Sequence, residues 1–359
     1  MKKILVINFG STSSKLSIFA DNKEIRKISV SHTHEELAPF KCINEQLPLR
    51  EKVVRDSLAE ANEDISSFDA IIARAGGTAP ISGTYKVNEL MIDRLLNRSH
   101  VAHVANLCSV VAFKIAAADN IPVFTHSFSR DEMLPITKIS GFPGLERKAE
   151  GHMENWWAIS EMTAKKYNTP YNEMNMIICH MGGGTTMSLH QHGRIVDVIG
   201  DTEGAFGPER CGGLPIAYYT DIVLSGKYSN DELHKLIRGK GGMFAYLGTT
   251  DGRVVEEKIR LGDKNAEEIY HAMALQEAKA IASLAAVGKG KIDVISLSGG
   301  LAYSKIFVEW IKEYISFIAP VEVFPGEYEA QAMAMCGIQA LENPDIVNEY
   351  TIEIDNKHP

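Results

Sequence analysis

The chain has 359 residues, with 37 Lys plus Arg against 46 Asp plus Glu and a formal net charge of −9. At 45% apolar and 23% charged residues it has the mix of a folded globular protein, which excludes disordered, collagen-like and coiled-coil architectures. The acidic balance offers no uniformly basic surface for nucleic acid or anionic lipid, and the length allows two domains of ordinary size.

The opening MKKILVINFG has an apolar run that stops at Asn8, too short for an export signal. No run approaches the roughly 18 apolar residues needed to span a membrane. The five cysteines (Cys42, Cys108, Cys179, Cys211 and Cys336) are dispersed and include no Cys-x-x-Cys pair. That pattern suits a reducing compartment, without a disulfide framework or a thiolate zinc site. These features predict a cytoplasmic protein with neither a membrane nor a nucleic-acid partner.

In chain order, residues 4–9 read as a short apolar strand, 10–14 (Gly-Ser-Thr-Ser-Ser) as a polar turn, and 15–20 and 24–30 as two further strands. Residues 50–62, 87–96, 105–119 and 152–167 read as helices, with strands at 70–74 and 121–124. The opening grammar then recurs: a strand at 176–180, a turn at 182–186 (Gly-Gly-Gly-Thr-Thr), and strands at 187–190 and 194–198. Two copies of one pattern suggest two domains of like architecture, with a boundary near residue 150. Helices follow at 230–237 and 264–286, the latter with Ile269, Met273, Ala280, Leu284 and Val287 near one face. A buried-type strand at 291–297 runs into Gly299-Gly300; a helix at 303–315, a strand at 321–324 and a helix at 328–341 complete the chain. Strands alternating with helices indicate an α/β protein.

A strand that ends in a Gly/Ser/Thr turn gathers backbone N–H groups and hydroxyls at one point, a concavity suited to phosphate oxygens. One such turn commonly does nothing. Two in equivalent places, with a third glycine pair that lets a flat ring approach the backbone at Gly299-Gly300, point to a nucleotide. None is a Walker sequence, so a P-loop is excluded.

The segments Asn8-Phe-Gly-Ser-Thr-Ser-Ser-Lys15, His180-Met-Gly-Gly-Gly184 and Ser298-Gly-Gly-Leu-Ala302 resemble, in order, the two phosphate motifs and the adenosine motif of the superfamily of acetate and sugar kinases, heat-shock ATPases and actin. Arg74-Ala-Gly-Gly77, Ser82-Gly-Thr-Tyr85, His103-Val-Ala-Asn106 and Gly207-Pro-Glu-Arg-Cys-Gly-Gly213 make the chain similar to the butyrate kinases, the short-chain fatty-acid branch of the acetate kinase family, to about residue 342. The resemblance implies two actin-like (ribonuclease H-like) domains with an interdomain nucleotide cleft. Residues 1–150, completed by a returning C-terminal helix at 328–342, would form one and residues 151–327 the other. It implies Mg2+, ATP or ADP as substrate, a reversible conversion of butanoate to butanoyl phosphate, and a homodimer. A branched-chain or other short carboxylate, or a nucleotide-binding paralogue with impaired transfer, are the alternatives.

Phosphoryl transfer needs two anions held in line and charge neutralised on the moving group, and a guanidinium suits this because it stays charged and grips two oxygens. The resemblance assigns that work to Arg74, at a strand end before the Gly76-Gly77 turn, and to Arg210. It gives His152 a donor role toward the moving phosphoryl group. Asn8, Ser11, Ser13, Lys15, His180, Gly182, Gly183 and Gly184 would line the phosphates, and Asp251, Arg253, Gly299 and Gly300 the adenosine. His103 and Asn106 would flank the carboxylate substrate. Glu329 would orient magnesium with Asn8, and Glu327 is its nearest rival. His126 stands where the family has an active-site aspartate, while Asp131 and Glu132 follow in the same loop as other sources of a carboxylate. Gly151 replaces the usual phenylalanine, ahead of Trp156-Trp157. These departures lie on the acceptor side, whereas the nucleotide motifs are intact.

Overall fold

The computed structural model describes residues 1–74, 83–99, 103–127 and 131–356. The Gly76-Gly77 turn, Ser82 and residues 128–130 of the loop after His126 lie outside the described residues. The chain divides into two compact units, Met1–Arg130 with Glu329–Pro359, and Asp131–Tyr328.

In the first unit the apolar opening run forms β1 (Lys3–Gly10), followed by β2 (Ser13–Ala20), β3 (Lys23–Ser31), β4 (Ala70–Arg74), β5 (Gly83–Lys86) and β6 (Val123–Ser127). β1 pairs antiparallel with β2 and parallel with β4, and β4 pairs parallel with β6. Central β1 is buried along most of its length because it has a strand on either side and helices against its faces, as a run like Ile4-Leu-Val-Ile7 requires. The helix Asn106–Ala116 is buried almost throughout, and the helix Leu47–Glu60 packs on β2.

The second unit repeats this order. β7 (Asn175–Met181), β8 (Thr185–Gln191) and β9 (Arg194–Ile199) form the antiparallel meander, and β10 (Val294–Gly299) and β11 (Val321–Pro325) extend it in parallel. The orders β3-β2-β1-β4-β6 and β9-β8-β7-β10-β11 match strand for strand, so the internal repeat read from the sequence is a repeat of topology. The helix Lys264–Val287 buries Tyr270, Met273, Ala274, Ile281 and Leu284; Ile269 and Val287 are only partly buried, so its core stripe is rotated slightly from the sequence reading.

The sequence boundary near residue 150 moves to 130/131. Residues 131–150 have little regular structure, and their polar groups find partners on β9 and in the segment just after it. Leu134 N–H donates to the Val196 carbonyl at 3.0 Å, Glu132 accepts from Ile195 N–H at 3.0 Å, and Arg147 grips Asp197 at 3.0 Å and Glu203 at 3.1 Å.

After the second unit the chain returns to the first. The helix Glu329–Glu342 packs on β1 and β4, with Gly337 facing Ile4 and Ile72. A last strand, β12 (Val347–Glu349), joins β5 in parallel. Buried Tyr350 and Asp355 anchor it, with Asp355 accepting from the Tyr350 hydroxyl at 2.8 Å and pairing with Arg94 and Arg98. Among the described residues no helix is long and apolar enough to cross a membrane.

Candidate active site

Parallel strands bring their carboxyl ends to one edge of a sheet, the usual place for a ligand in an α/β unit. In the first unit that edge carries Asn8 near the end of β1, Arg74 ending β4, and His126 one residue from the end of β6. Asn8 Nδ2 donates to Glu329 Oε2 at 3.0 Å, and Arg74 Nη1 donates to Asn8 Oδ1 at 3.4 Å. One asparagine therefore links the strand-end arginine to the carboxylate that opens the helix Glu329–Glu342. Lys15 lies opposite Asn8 across the β1–β2 ladder, with its side chain exposed. Ser11 is exposed at the turn between these strands, and Ser13 begins β2.

His126 is in register with Arg74 on β4 and with Thr84 on β5, and its Nδ1 shares a hydrogen bond with Thr84 Oγ1 at 2.7 Å. The ring is buried. Asp131 pairs with Lys138 at 2.5 Å and Glu132 holds the Ile195 amide, so both carboxylates are engaged within the second unit. His103 and Asn106 line a small cavity of about 150 Å³ together with Ile43, Leu95, Leu96 and Ser99. Burial, and then the nearby Arg74 charge, hold the His103 imidazole below its usual pKa. The buried Asn106 donates to Ser99 Oγ at 3.0 Å.

In the second unit, His152 precedes the helix Met153–Tyr167 and shares a hydrogen bond with Thr186 Oγ1 at 2.8 Å. Its ring lies 4.3 Å from that of His180, centroid to centroid. His180, near the end of β7, meets Ser298 Oγ of β10 at 3.3 Å. Burial and the neighbouring His152 push its pKa down to about 3, so it is neutral at physiological pH. A Cβ on Gly151 would fall 2.0 Å from the Trp156 indole, so the buried tryptophan fills the space that a bulky residue 151 would need.

Arg210 is held on two sides, with Nε on Asp201 at 3.1 Å and Nη1 on Glu209 at 2.7 Å; Arg238 also reaches Asp201, at 2.8 Å. The loop carrying it is tied to the glycine turn, for Glu209 N–H donates to the Gly183 carbonyl at 3.0 Å. A Cβ on Gly184 would meet Arg210 Cγ at 2.7 Å, which explains a glycine there.

Gly182, Gly183, Asp251, Arg253 and Gly300 all line one cavity of about 900 Å³. Asp251 caps the helix Gly252–Arg260 by accepting from Arg253 N–H, and the Arg253 guanidinium folds back onto both of its oxygens at 2.9 and 2.6 Å. These hydrogen bonds lower the Asp251 carboxyl to about 2. Gly299, with φ +91°, bridges to Gly326 and lets the chain pass the Met181 carbonyl. The two rival carboxylates fall in different units: Glu327 lines this cavity, whereas Glu329 joins Asn8.

Several site residues lack a sequence signal. Tyr270 and Tyr303 line the large cavity, one concealed within a helical apolar stripe and the other in a 3-10 turn after Gly300. Asp201 and Arg238 come to Arg210 from outside its motif, whereas Glu209 precedes it within the Gly207–Gly213 segment. Buried Arg50, on the helix behind the first turn, reads as a surface charge in sequence.

The second unit thus holds a glycine-lined cavity beside an arginine flanked by carboxylates and a pair of histidines in ring contact. Residues 144–315 match the model of the acetokinase family. The acetokinase match contains His152, His180, the glycine turn, Arg210, Asp251, Arg253, Gly299 and Gly300. Asn8, Arg74, His103, His126 and Glu329 lie outside it. Among solved structures, an acetate kinase from Porphyromonas gingivalis superposes with a TM-score of 0.77 at 17% identity, covering 96% of this chain and 100% of that one. A propionate kinase from Francisella tularensis subsp. tularensis SCHU S4 gives 0.73 at 15% identity, over 93% and 99%. A ROK family protein from Streptococcus pneumoniae TIGR4, in complex with sucrose, gives 0.53 at 14%, over 95% and 99%. The fold is the two-domain actin-like ATPase fold.

Proposed function

We propose that the protein is an ATP-dependent kinase of a short-chain carboxylate, converting butanoate or a similar acid to its acyl phosphate. The reading rests first on the acetokinase match across the residues that surround the glycine-lined cavity. In the transfer a carboxylate oxygen forms a bond to the γ-phosphorus, the bond from that phosphorus to the β–γ bridging oxygen breaks, and ADP leaves. Gly182, Gly183 and Gly300 would face the nucleotide, with Asp251 and Arg253 at the adenosine. Arg210 and Arg74 would neutralise charge on the moving group, and His152 would donate to it. His180, kept neutral by burial, would add a hydrogen bond without adding charge.

Glu329 suits a magnesium ion held on nucleotide phosphates, because such an ion takes one carboxylate and several waters; bound there it would draw charge from the phosphates. Asn8 would hold Glu329 and Arg74 in place. The cavity beside His103 and Asn106, with Ile43 and Leu95 on its wall, has room for an acyl chain of a few carbons. The helix Ile216–Leu224 has no buried residue and exposes Ile216, Tyr218 and Leu224, a surface suited to a second copy of the chain.

Calorimetry with Mg-ADP and hydroxylamine trapping of acyl phosphate, across acids of two to six carbons, test the proposal. Binding and a hydroxamate peak near four carbons are expected. Arg210→Ala should then lower kcat by about two to three decades, the usual effect of losing one transition-state donor. Absence of nucleotide binding would overturn the reading. The burial of His126 against Thr84, with Asp131 and Glu132 engaged elsewhere, favours one second reading, a nucleotide-binding paralogue without transfer. ADP binding with no hydroxamate for any acid would select it.

A further inference from the structure

Arg50 has no exposed surface. Its Nη1 donates to the Ser13 carbonyl at 2.7 Å and to Ser14 Oγ at 3.1 Å, and its Nη2 donates to the Ser11 carbonyl at 3.0 Å. Gln46, at the N-cap of that helix, accepts from Nε at 3.3 Å and from Nη2 at 3.1 Å. The guanidinium also lies over the Phe9 ring, 5.5 Å from its centroid. Every acceptor is neutral, so among the described residues no carboxylate offsets this buried charge. Burying an unpaired cation is costly. A surface position or a neutral residue would avoid that cost, so the cation's place directly behind the Gly-Ser-Thr-Ser-Ser turn calls for a use.

We propose that Arg50 is a positioning residue for nucleotide phosphates at the first turn. It would fix the turn's backbone and supply a permanent positive field behind it. The inference rests on the nucleotide reading above. Two features of the turn support it. The carbonyls of Ser11 and Ser13 face Arg50, and the Thr12 carbonyl accepts from His32 N–H at 2.8 Å, so all three carbonyls are taken up by the protein's own donors. In a planar trans peptide the N–H opposes the C=O, so holding the Ser11 carbonyl inward turns the Thr12 N–H the other way. Ser14 Oγ, shared between Arg50 and His32 Nε2 at 2.9 Å, locks the base of the turn. The low dielectric around the guanidinium strengthens its pull on an anion at the turn.

The test uses the full chain with Arg50→Met and Arg50→Lys, titrated calorimetrically with ADP and with adenosine. Arg50→Met should weaken ADP by about tenfold or more and leave adenosine within about twofold. Arg50→Lys, which keeps the charge but cannot span both carbonyls, should lose an intermediate amount, again from ADP alone. If Arg50→Met does not fold, the lysine variant decides by the same ratio. Equal loss for both ligands, or no loss for ADP, overturns the proposal. An unmutated protein that binds neither ligand removes the nucleotide reading itself, and the inference with it.

Discussion

Glu277 offers the sharpest check on the second unit. It sits within the helix Lys264–Val287 with no exposed surface, and one carboxyl oxygen accepts from Thr185 Oγ1 at 2.6 Å. Thr185 begins β8 immediately after the glycine turn. Burial raises the carboxyl from 4.5 to about 8, with Thr185 opposing only in part. The unfolded chain releases this proton near pH 4.5, whereas the folded protein keeps it to about pH 8. The carboxyl's contribution to stability is therefore complete below pH 4.5 and declines as pH rises toward 8. At about 1.4 kcal/mol per pH unit, the loss between pH 5 and pH 8 amounts to about 3 kcal/mol. Glu277→Gln retains an oxygen for Thr185 and cannot ionise. It should match the unmutated protein within about 1 kcal/mol at pH 5 and exceed it by about 3 kcal/mol at pH 8. The three tryptophans, Trp156, Trp157 and Trp310, all lie in the second unit, so their fluorescence reports its unfolding. Urea titrations followed this way at pH 5, 6, 7 and 8 give the comparison. Parallel stability curves for the two proteins would refute the reasoning.

Two further outcomes follow from the same unit. Gly300 lines the large cavity and nothing lies within 4 Å of a Cβ built on it, so Gly300→Phe should fold normally but fill the site. Its melting temperature should hold while calorimetry shows ADP affinity reduced by about tenfold or more, since a blocked site forfeits its contacts. His190, fully buried between Tyr171 and Ser188, has its pKa pushed down to about 3, so its contribution is lost as pH falls from 6.5 toward 3. At pH 5 that loss is about 2 kcal/mol, and His190→Gln should flatten the acid limb of a stability curve by that amount.

Much of the scaffold was legible because it rests on short-range patterns. The apolar run Ile4–Ile7, the strand at Met176–Cys179 and the glycine turns after them announced both meanders, since a buried central strand tolerates little besides apolar residues. The helix Ile216–Leu224 and the strands β5 and β12 carry no such pattern: one is apolar yet unburied, and the others are short and take their place from neighbours. At the candidate site, residues within motifs were readable, such as Gly182, Gly183, Asp251 and Gly300, which share one cavity. Groups that act by long-range contact were not. Asp201 meets Arg210 and Arg238 through the tertiary course of an irregular loop, and Arg50 in Leu-Arg-Glu-Lys looks like any solvated helical charge. The boundary at residue 130 was hidden because residues 131–150 take their hydrogen bonds from β9, a partner that no local pattern specifies.

The duplicated meanders carry opposite chemistry behind their turns. The helix after β3 packs on β2 and sets Arg50 against the first turn, whereas the long helix Lys264–Val287 packs on β8 and sets Glu277 against Thr185 at the second. If the second turn holds phosphate as proposed, an ionised carboxylate behind it would repel that ligand, and burial keeps Glu277 protonated at neutral pH. A guanidinium stays charged under the same degree of burial because its intrinsic pKa is so high. The two supports therefore differ in field though they share a backbone plan: the first turn sits over a permanent cation, and the second over a neutral hydrogen-bonding group. Shared topology fixes where the turns lie, and one side chain on each supporting helix sets the field behind each turn.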